Sequence, residues 1–144
     1  MIGGKFWCNT PKRKFDIRMF GVAQIVDGVH FRGYFFKEGY IRTSSYAFNL
    51  NDIEDRDIHL TNDSVQGKNH LYGKYEAGNK ISQKDFEIFL KNSRNTDFYT
   101  DIYPQMKEAV KNSLQALWDR IQTVDQNRRK VNEFELFGYD FMID

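Results

Sequence analysis

The sequence predicts an α+β fold, an antiparallel sheet with packed helices, and three observations carry that prediction. The first half holds aromatic-rich apolar runs broken by Asp27-Gly28 and Glu38-Gly39, dipeptides suited to tight turns. The second half holds one apolar set stepped by threes and fours: Met106, Val110, Leu114, Leu117, Ile121 and Val124. That spacing is the mark of an amphipathic helix. Residues 134–144 are apolar on both parities, which predicts a strand covered on both faces.

The elements follow in order. Residues 14–26 form a first strand, with Phe15, Ile17 and Met19 on one parity and Lys14, Asp16 and Arg18 on the other. Residues 29–37 and 40–45 form two more, and the short turns between the three predict an antiparallel meander. Residues 46–81 are polar and punctuated by Gly and Asn, so they read as irregular chain with a brief strand at residues 58–60. So long a connection inside a compact domain points to function. Ser82 followed by Asp85 is a capping box that opens a helix with Phe86, Phe89 and Leu90 inward. Pro104 suits the first turn of the longer helix, which runs to residue 124. After the charged stretch 125–133 comes the last strand, which stops with no partner strand after it, as if cut inside a sheet.

Composition bounds what such a fold can do. The 144 residues suit one domain or a piece of one, and no linker or repeat divides them. Lys and Arg number 21 against 20 Asp and Glu, a net charge of +1 that excludes a binder driven by phosphate neutralisation. Hydrophobic residues at 40% and aromatics at 16% supply a packed core and exclude a disordered chain. The single cysteine, Cys8, excludes an internal disulfide or a thiolate metal cluster. No apolar stretch approaches the roughly 20 residues of a membrane span, so no membrane partner is expected and a cytoplasmic setting is the default.

Several residues invite chemistry. The row Lys14, Asp16, Arg18 is either a solvated charge ladder or a face that grips a polyphosphate or carboxylate. Arg42, on a parity with Tyr40 and Ser44, is either a surface arginine or a second cation reaching the same face. Asp140 shares a parity with Phe134, Leu136 and Met142. A carboxylate buried there needs a cation, either Mg²⁺ or a buried Arg or Lys. Thr61 and Asn62 follow an apolar pair and suit a ribose hydroxyl or a phosphate. His30, His59 and His70 are too scattered for a metal site, and His59 reads as a packed ring bonded to backbone. The cluster at residues 11–14 is too small a footprint for nucleic acid, and no GxxxxGK[ST] phosphate loop occurs.

Four blocks together resemble the tubulin–tyrosine ligase-like family, a branch of the ATP-grasp ligases. They are Arg-Lys-Phe-Asp-Ile-Arg at 13–18, Lys-Glu-Gly-Tyr-Ile-Arg-Thr-Ser-Ser at 37–45, His-Leu-Thr-Asn-Asp-Ser-Val-Gln at 59–66, and residues 134–144. Residues 72–79 are more similar to tyrosine ligase itself than to the polyglutamylases. The resemblance implies a partial ATP-grasp domain over residues 1–144, incomplete at both ends, because the family's nucleotide lid lies upstream and its Glu-x-Asn metal motif downstream. In such ligases ATP and Mg²⁺ turn a carboxylate into an acyl-phosphate, which an amine converts to an amide.

By that resemblance Lys14, Asp16, Thr61 and Asn62 contact the nucleotide, and Asp140 is a Mg²⁺ ligand. Arg18 and Arg42 are catalytic, Arg18 facing the tubulin-tail carboxylate or its acyl-phosphate and Arg42 the reacting carboxylate or the incoming amino acid. Asp63, Ser64 and Lys80 line the amino-acid pocket. The implied partners are the acidic tail of tubulin and a free amino acid: tyrosine first, with glutamate or glycine as the nearest variants. The implied setting is the cytoplasmic microtubule cytoskeleton, the cilium included. The competing readings are a tubulin-tail-binding module without catalysis and an inactive fragment of the ligase. Alone, this chain is expected to fold poorly and to lack activity.

Overall fold

The computed structural model describes residues 12–124 and 132–143, so Cys8, Pro11, Asp144 and most of the charged stretch lie outside the described residues. Five strands and four α-helices are described, in the order β1 (Arg13–Val26), β2 (His30–Phe35), β3 (Tyr40–Ala47), α1 (Arg56–His59), α2 (Asp63–Gln66), β4 (Lys80–Ser82), α3 (Gln83–Arg94), α4 (Tyr103–Val124) and β5 (Glu133–Phe141). The class is α+β, and the pairings of β1 with β2, β1 with β3 and β3 with β4 are all antiparallel. The chain divides into two compact units.

The first unit takes in the chain up to Arg18, Gly39–Asp97 and the segment from Asp140. Here the first part of β1 pairs with β3, and β3 pairs with β4, in a register that aligns residues in rows across three strands. Ile17, Ile41 and Ile81 make one row, and Asp16, Arg42 and Lys80 the next. Adjacent rows project to opposite faces of a pleated sheet. The isoleucine row is therefore core, with Phe86 and Leu90 of α3 buried beside it, while the ionic row faces the other way. Residues 41–45 of β3 are buried without a break, so both faces of this strand are covered. Ser82 caps α3 as its pattern with Asp85 predicts: the Asp85 N–H donates to Ser82 Oγ at 3.1 Å, and the Ser82 hydroxyl donates to the Asp85 carboxylate at 2.7 Å.

The second unit comprises Met19–Glu38 and Phe98–Tyr139. Gly21 to Val26 of β1 pair with Phe35 to His30 of β2 around Asp27 and Gly28, whose positive φ values of 53° and 72° suit an Asp-Gly turn. Helix α4 packs on β2, where Phe31 stacks on Trp118 and Phe35 on Tyr103. Met106, Val110 and Leu114 of its stripe are buried, Leu117 and Ile121 half-buried, and the side chain of Val124 lies outside the described set. A Cβ at Gly33 would stand 2.8 Å from Leu114 Cδ1, so that side chain would have to shift to admit it.

Three expectations are corrected. The first three strands do not form a meander: β3 returns to pair with β1, whose 14 residues are long enough to take β2 on one stretch and β3 on another. Residues 58–60 are not a strand. Asp55 accepts from the Asp57 N–H at 2.9 Å and so starts a helical turn, α1, that buries Ile58; α2 and a 3₁₀ turn at Ala77–Asn79 add further structure to the stretch read as irregular. Last, β5 is not covered on both faces. Phe137, Tyr139 and Phe141 are half-buried, whereas Phe134 and Leu136, of opposite parity, are exposed, and so is Asp140.

Candidate functional site

The ionic row of the first unit carries the candidate site. Asp16 and Arg42 are direct partners across β1 and β3, so their side chains leave the sheet side by side. Arg42 Nε and Nη2 donate to the two oxygens of Asp16 at 2.8 and 2.6 Å. Both residues are buried, Arg42 only 4% exposed. The hydroxyl of buried Thr61 donates to the same carboxylate, at Oδ2. Arg18, two residues along β1 on the same face, reaches Asp140 instead, with Nε on Oδ1 and Nη2 on Oδ2 at 3.1 Å. Arg42 Nη2 is also 2.8 Å from Asp140 Oδ2. The result is a chain Thr61–Asp16–Arg42–Asp140–Arg18, two guanidiniums against two carboxylates.

Charge sets the protonation in this chain. Burial would lower the Arg42 pKa, but the hydrogen bonds and charges of Asp16 and Asp140 outweigh it and raise the value. Burial likewise pushes Asp140 up, and the hydrogen bonds from Arg18 and Arg42 more than reverse it, holding the carboxyl below its ordinary range. Arg42 and Asp140 are therefore both charged at neutral pH.

A second cluster begins at the next position of the same row. Lys80 Nζ is 2.7 Å from Asp63 Oδ2, and Tyr72 donates its hydroxyl to Asp63 Oδ1 at 3.2 Å. Burial acts to raise the Asp63 pKa, yet the Lys80 hydrogen bond and charge lower it overall, with Arg42 adding to the same field. The Asp63 hydrogen bond raises Lys80. The Lys80 ammonium also lies 5.9 Å from the centre of the Tyr40 ring.

The sequence-derived residues therefore converge in part. Asp16, Arg18, Arg42, Thr61 and Asp140 share one hydrogen-bonded cluster, and Asp63 joins Lys80 beside it. Arg42 is not a surface arginine. Asp140 is not enclosed by apolar side chains as its neighbours suggested; it is half-exposed and meets the arginines of the structural alternative. Lys14 is half-buried on β1, and Asn62 and Ser64 are exposed at the start of α2. His59 is bonded to backbone as expected, its Nε2 2.9 Å from the Asp52 carbonyl.

Four supporting residues escaped the sequence. Gln66, fully buried, accepts from the Ser45 N–H at 2.8 Å and donates to the carbonyls of Asp57 and Leu60. Asn79 donates to the Thr43 carbonyl and Ser45 Oγ, both at 3.1 Å, and accepts from the Gly73 N–H at 2.8 Å. These two amides bind the segments carrying Thr61, Asp63 and Tyr72 to β3. Arg13 forms a buried ion pair with Glu76, which also accepts from the Thr43 hydroxyl at 3.1 Å. Amides in polar loops look like turn punctuation, and Arg13 looked like part of a basic cluster.

The fit to a metal ion is limited. Both oxygens of Asp140 face guanidinium groups, and no group of three or more Asp, Glu, His or Cys side chains is placed to hold a metal among the described residues. Mg²⁺ requires near-octahedral oxygen ligands, so these residues alone do not make its site.

Residues 9–144 match the tubulin-tyrosine ligase family. The chain is 38% identical to tubulin glycylase 3B of Tetrahymena thermophila over 92% of this chain and 11% of that protein. It is 32% identical to protein monoglycylase TTLL8 of Mus musculus over 90% of this chain and 15% of that protein. It is 30% identical to the probable tubulin polyglutamylase TTLL9 of Bos taurus over 92% of this chain and 27% of that protein. The chain thus spans about a tenth to a quarter of the length of these relatives.

Proposed function

We propose that this chain, which belongs to the tubulin-tyrosine ligase family, is part of an ATP-dependent carboxylate–amine ligase that adds an amino acid to tubulin. The observation that carries the proposal is the paired arginine cluster: Arg18 and Arg42 are held by Asp16 and Asp140 on a rigid sheet face. Fixed guanidinium forks suit a substrate carboxylate and the negative charge that develops during acyl transfer. In the proposed reaction a carboxylate oxygen of the tail attacks the γ-phosphate of ATP, releasing ADP and leaving an acyl-phosphate. The amino group of the incoming amino acid then attacks the acyl carbon; the C–N bond forms, the C–O bond to phosphate breaks, and the ammonium proton is lost.

In this reading Arg18 receives the tail carboxylate and Arg42 orients the reacting carbonyl, while Asp16 and Thr61 position Arg42. Lys14 and Asn62 face the nucleotide; Lys80, Asp63 and Ser64 face the amino acid. ATP and Mg²⁺ belong to the proposal as demands of the reaction class, with Asp140 supplying one carboxylate. Two glycylases and a polyglutamylase among the relatives move the weight from tyrosine towards glycine or glutamate. The proposed partner is the acidic tubulin tail, and the proposed setting is the microtubule cytoskeleton.

The full-length protein, incubated with ATP, Mg²⁺, tubulin and labelled glycine, glutamate or tyrosine in turn, decides the matter. Incorporation of one amino acid that Arg42→Gln abolishes is the expected result. No incorporation of any of the three would sink the reading. A tail binder without catalysis is the second reading, favoured by the absence, among the described residues, of three or more side chains grouped to hold a metal; it predicts tubulin binding that weakens with salt and no incorporation.

A further inference from the structure

The two arginines of the candidate site already hold a carboxylate, and it belongs to the protein. Arg18 presents Nε and Nη2 to the two oxygens of Asp140, and Arg42 Nη2 meets Oδ2 at 2.8 Å. This is the fork geometry that a free carboxylate would use. With Asp16 against Arg42, two guanidiniums face two carboxylates, so the cluster has no net charge with which to draw an anion from solvent.

The two carboxylates are not equally held. The Asp16 side chain is 10% exposed and is tied by Arg42 and Thr61, whereas the Asp140 side chain is 41% exposed and meets, among the described residues, the two arginines. Asp140 is therefore the member that can be displaced. Building on the ligase reading, in which Arg18 and Arg42 receive a tail carboxylate, we propose that Asp140 is an internal occupant of that carboxylate site, so that a glutamate carboxylate from a partner binds only as Asp140 withdraws. The ion pair keeps the arginines aligned and silent towards stray anions.

The experiment needs neither turnover nor nucleotide. A fluorescent Glu-rich peptide with a free C-terminal carboxylate is titrated with the full-length protein in the presence of a chelator, and its anisotropy is recorded. Asp140→Asn keeps the side-chain shape but removes the charge; it should tighten binding about two- to fivefold, the scale of one partly exposed ion pair. The gain should vanish in the Arg18→Gln/Asp140→Asn double variant and with a peptide in which Gln replaces Glu. Asp140→Ser, a smaller neutral side chain, replaces Asn if the first variant loses its native circular dichroism. Equal or weaker binding by the neutral variants, a gain that survives Arg18→Gln, or no binding by any of the proteins would overturn the inference. Incorporation of an amino acid without a gain in Asp140→Asn would leave the ligase reading standing and remove this inference alone.

Discussion

At the scale of single residues, the buried pair of Asp16 and Arg42 is the most consequential feature. A guanidinium 4% exposed cannot shed its proton, so its stability depends on the carboxylate opposite. Asp16→Ala leaves that charge with the half-exposed Asp140 alone and should destabilise the protein by about 3–5 kcal/mol. Asp16→Asn retains a hydrogen-bond acceptor and should cost less, about 1–3 kcal/mol. Urea unfolding of the two variants measures the order; equal and small losses would show that the pair is dispensable. The exposed Asp63–Lys80 pair acts on a smaller scale. Asp63 has a lowered pKa in the folded state, so its contribution is present above the unfolded value of about 3.9 and is lost as pH falls through the folded one. Lys80 is raised, so its contribution is present below about 10.4 and is lost as pH rises through the folded value. With both side chains two-fifths or more exposed, the pair is worth less than about 1 kcal/mol. An NMR titration of Asp63 should show its pKa rising towards the ordinary range in Lys80→Gln; an unchanged value would remove the ion pair from the account.

At the scale of elements, what could be read depended on whether a signal is local. The Ser82 cap with Asp85 lies within one turn, and the stripe of α4 repeats along its own helix, so both the cap and the helix are legible in the sequence. The stretch from Phe48 to Asn79 is different, because its order comes from side-chain amides that satisfy the backbone of other segments. Gln66 and Asn79 take the place that a repeating hydrogen-bond ladder fills elsewhere. Asn79 also adopts a positive φ of 51°, which Asn tolerates and Ala resists. Asn79→Ala removes the acceptor for the Gly73 N–H and two links to β3. Amide exchange at Gly73 should accelerate by roughly tenfold or more, the effect of losing one buried hydrogen bond of about 1–2 kcal/mol, while exchange at Ile17 and Ile41 changes little. Equal acceleration at all three would mean global destabilisation instead of release of one segment.

At the scale of the whole molecule, the site was legible as a face and illegible as a network. Alternation along β1 placed Lys14, Asp16 and Arg18 together, but the Arg18 partner lies 122 residues away in sequence and no spacing rule reaches it. Strand order was lost for the same reason, since short turns favour neighbours in sequence over the return of β3 to β1. The run after Glu133, apolar on both parities, looked like a central strand because hydropathy cannot tell a covered face from one left open. Its outward residues Phe134 and Leu136, 78% and 57% exposed, stand on the same side of β5 two positions apart. Adjacent exposed aromatic and aliphatic side chains on a strand favour association with other chains. The 144-residue chain should therefore elute from a sizing column larger than a monomer, increasingly so as its concentration rises. Phe134→Lys/Leu136→Lys places two charges on that face, touches none of the half-buried Phe137, Tyr139 and Phe141, and should restore monomer elution. The thermal midpoint should stay within a few degrees, as surface changes of this kind cost about 0.5 kcal/mol or less. A wild-type chain that stays monomeric at high concentration would show that this face does not drive association. Unchanged association in the double variant would place the contact elsewhere.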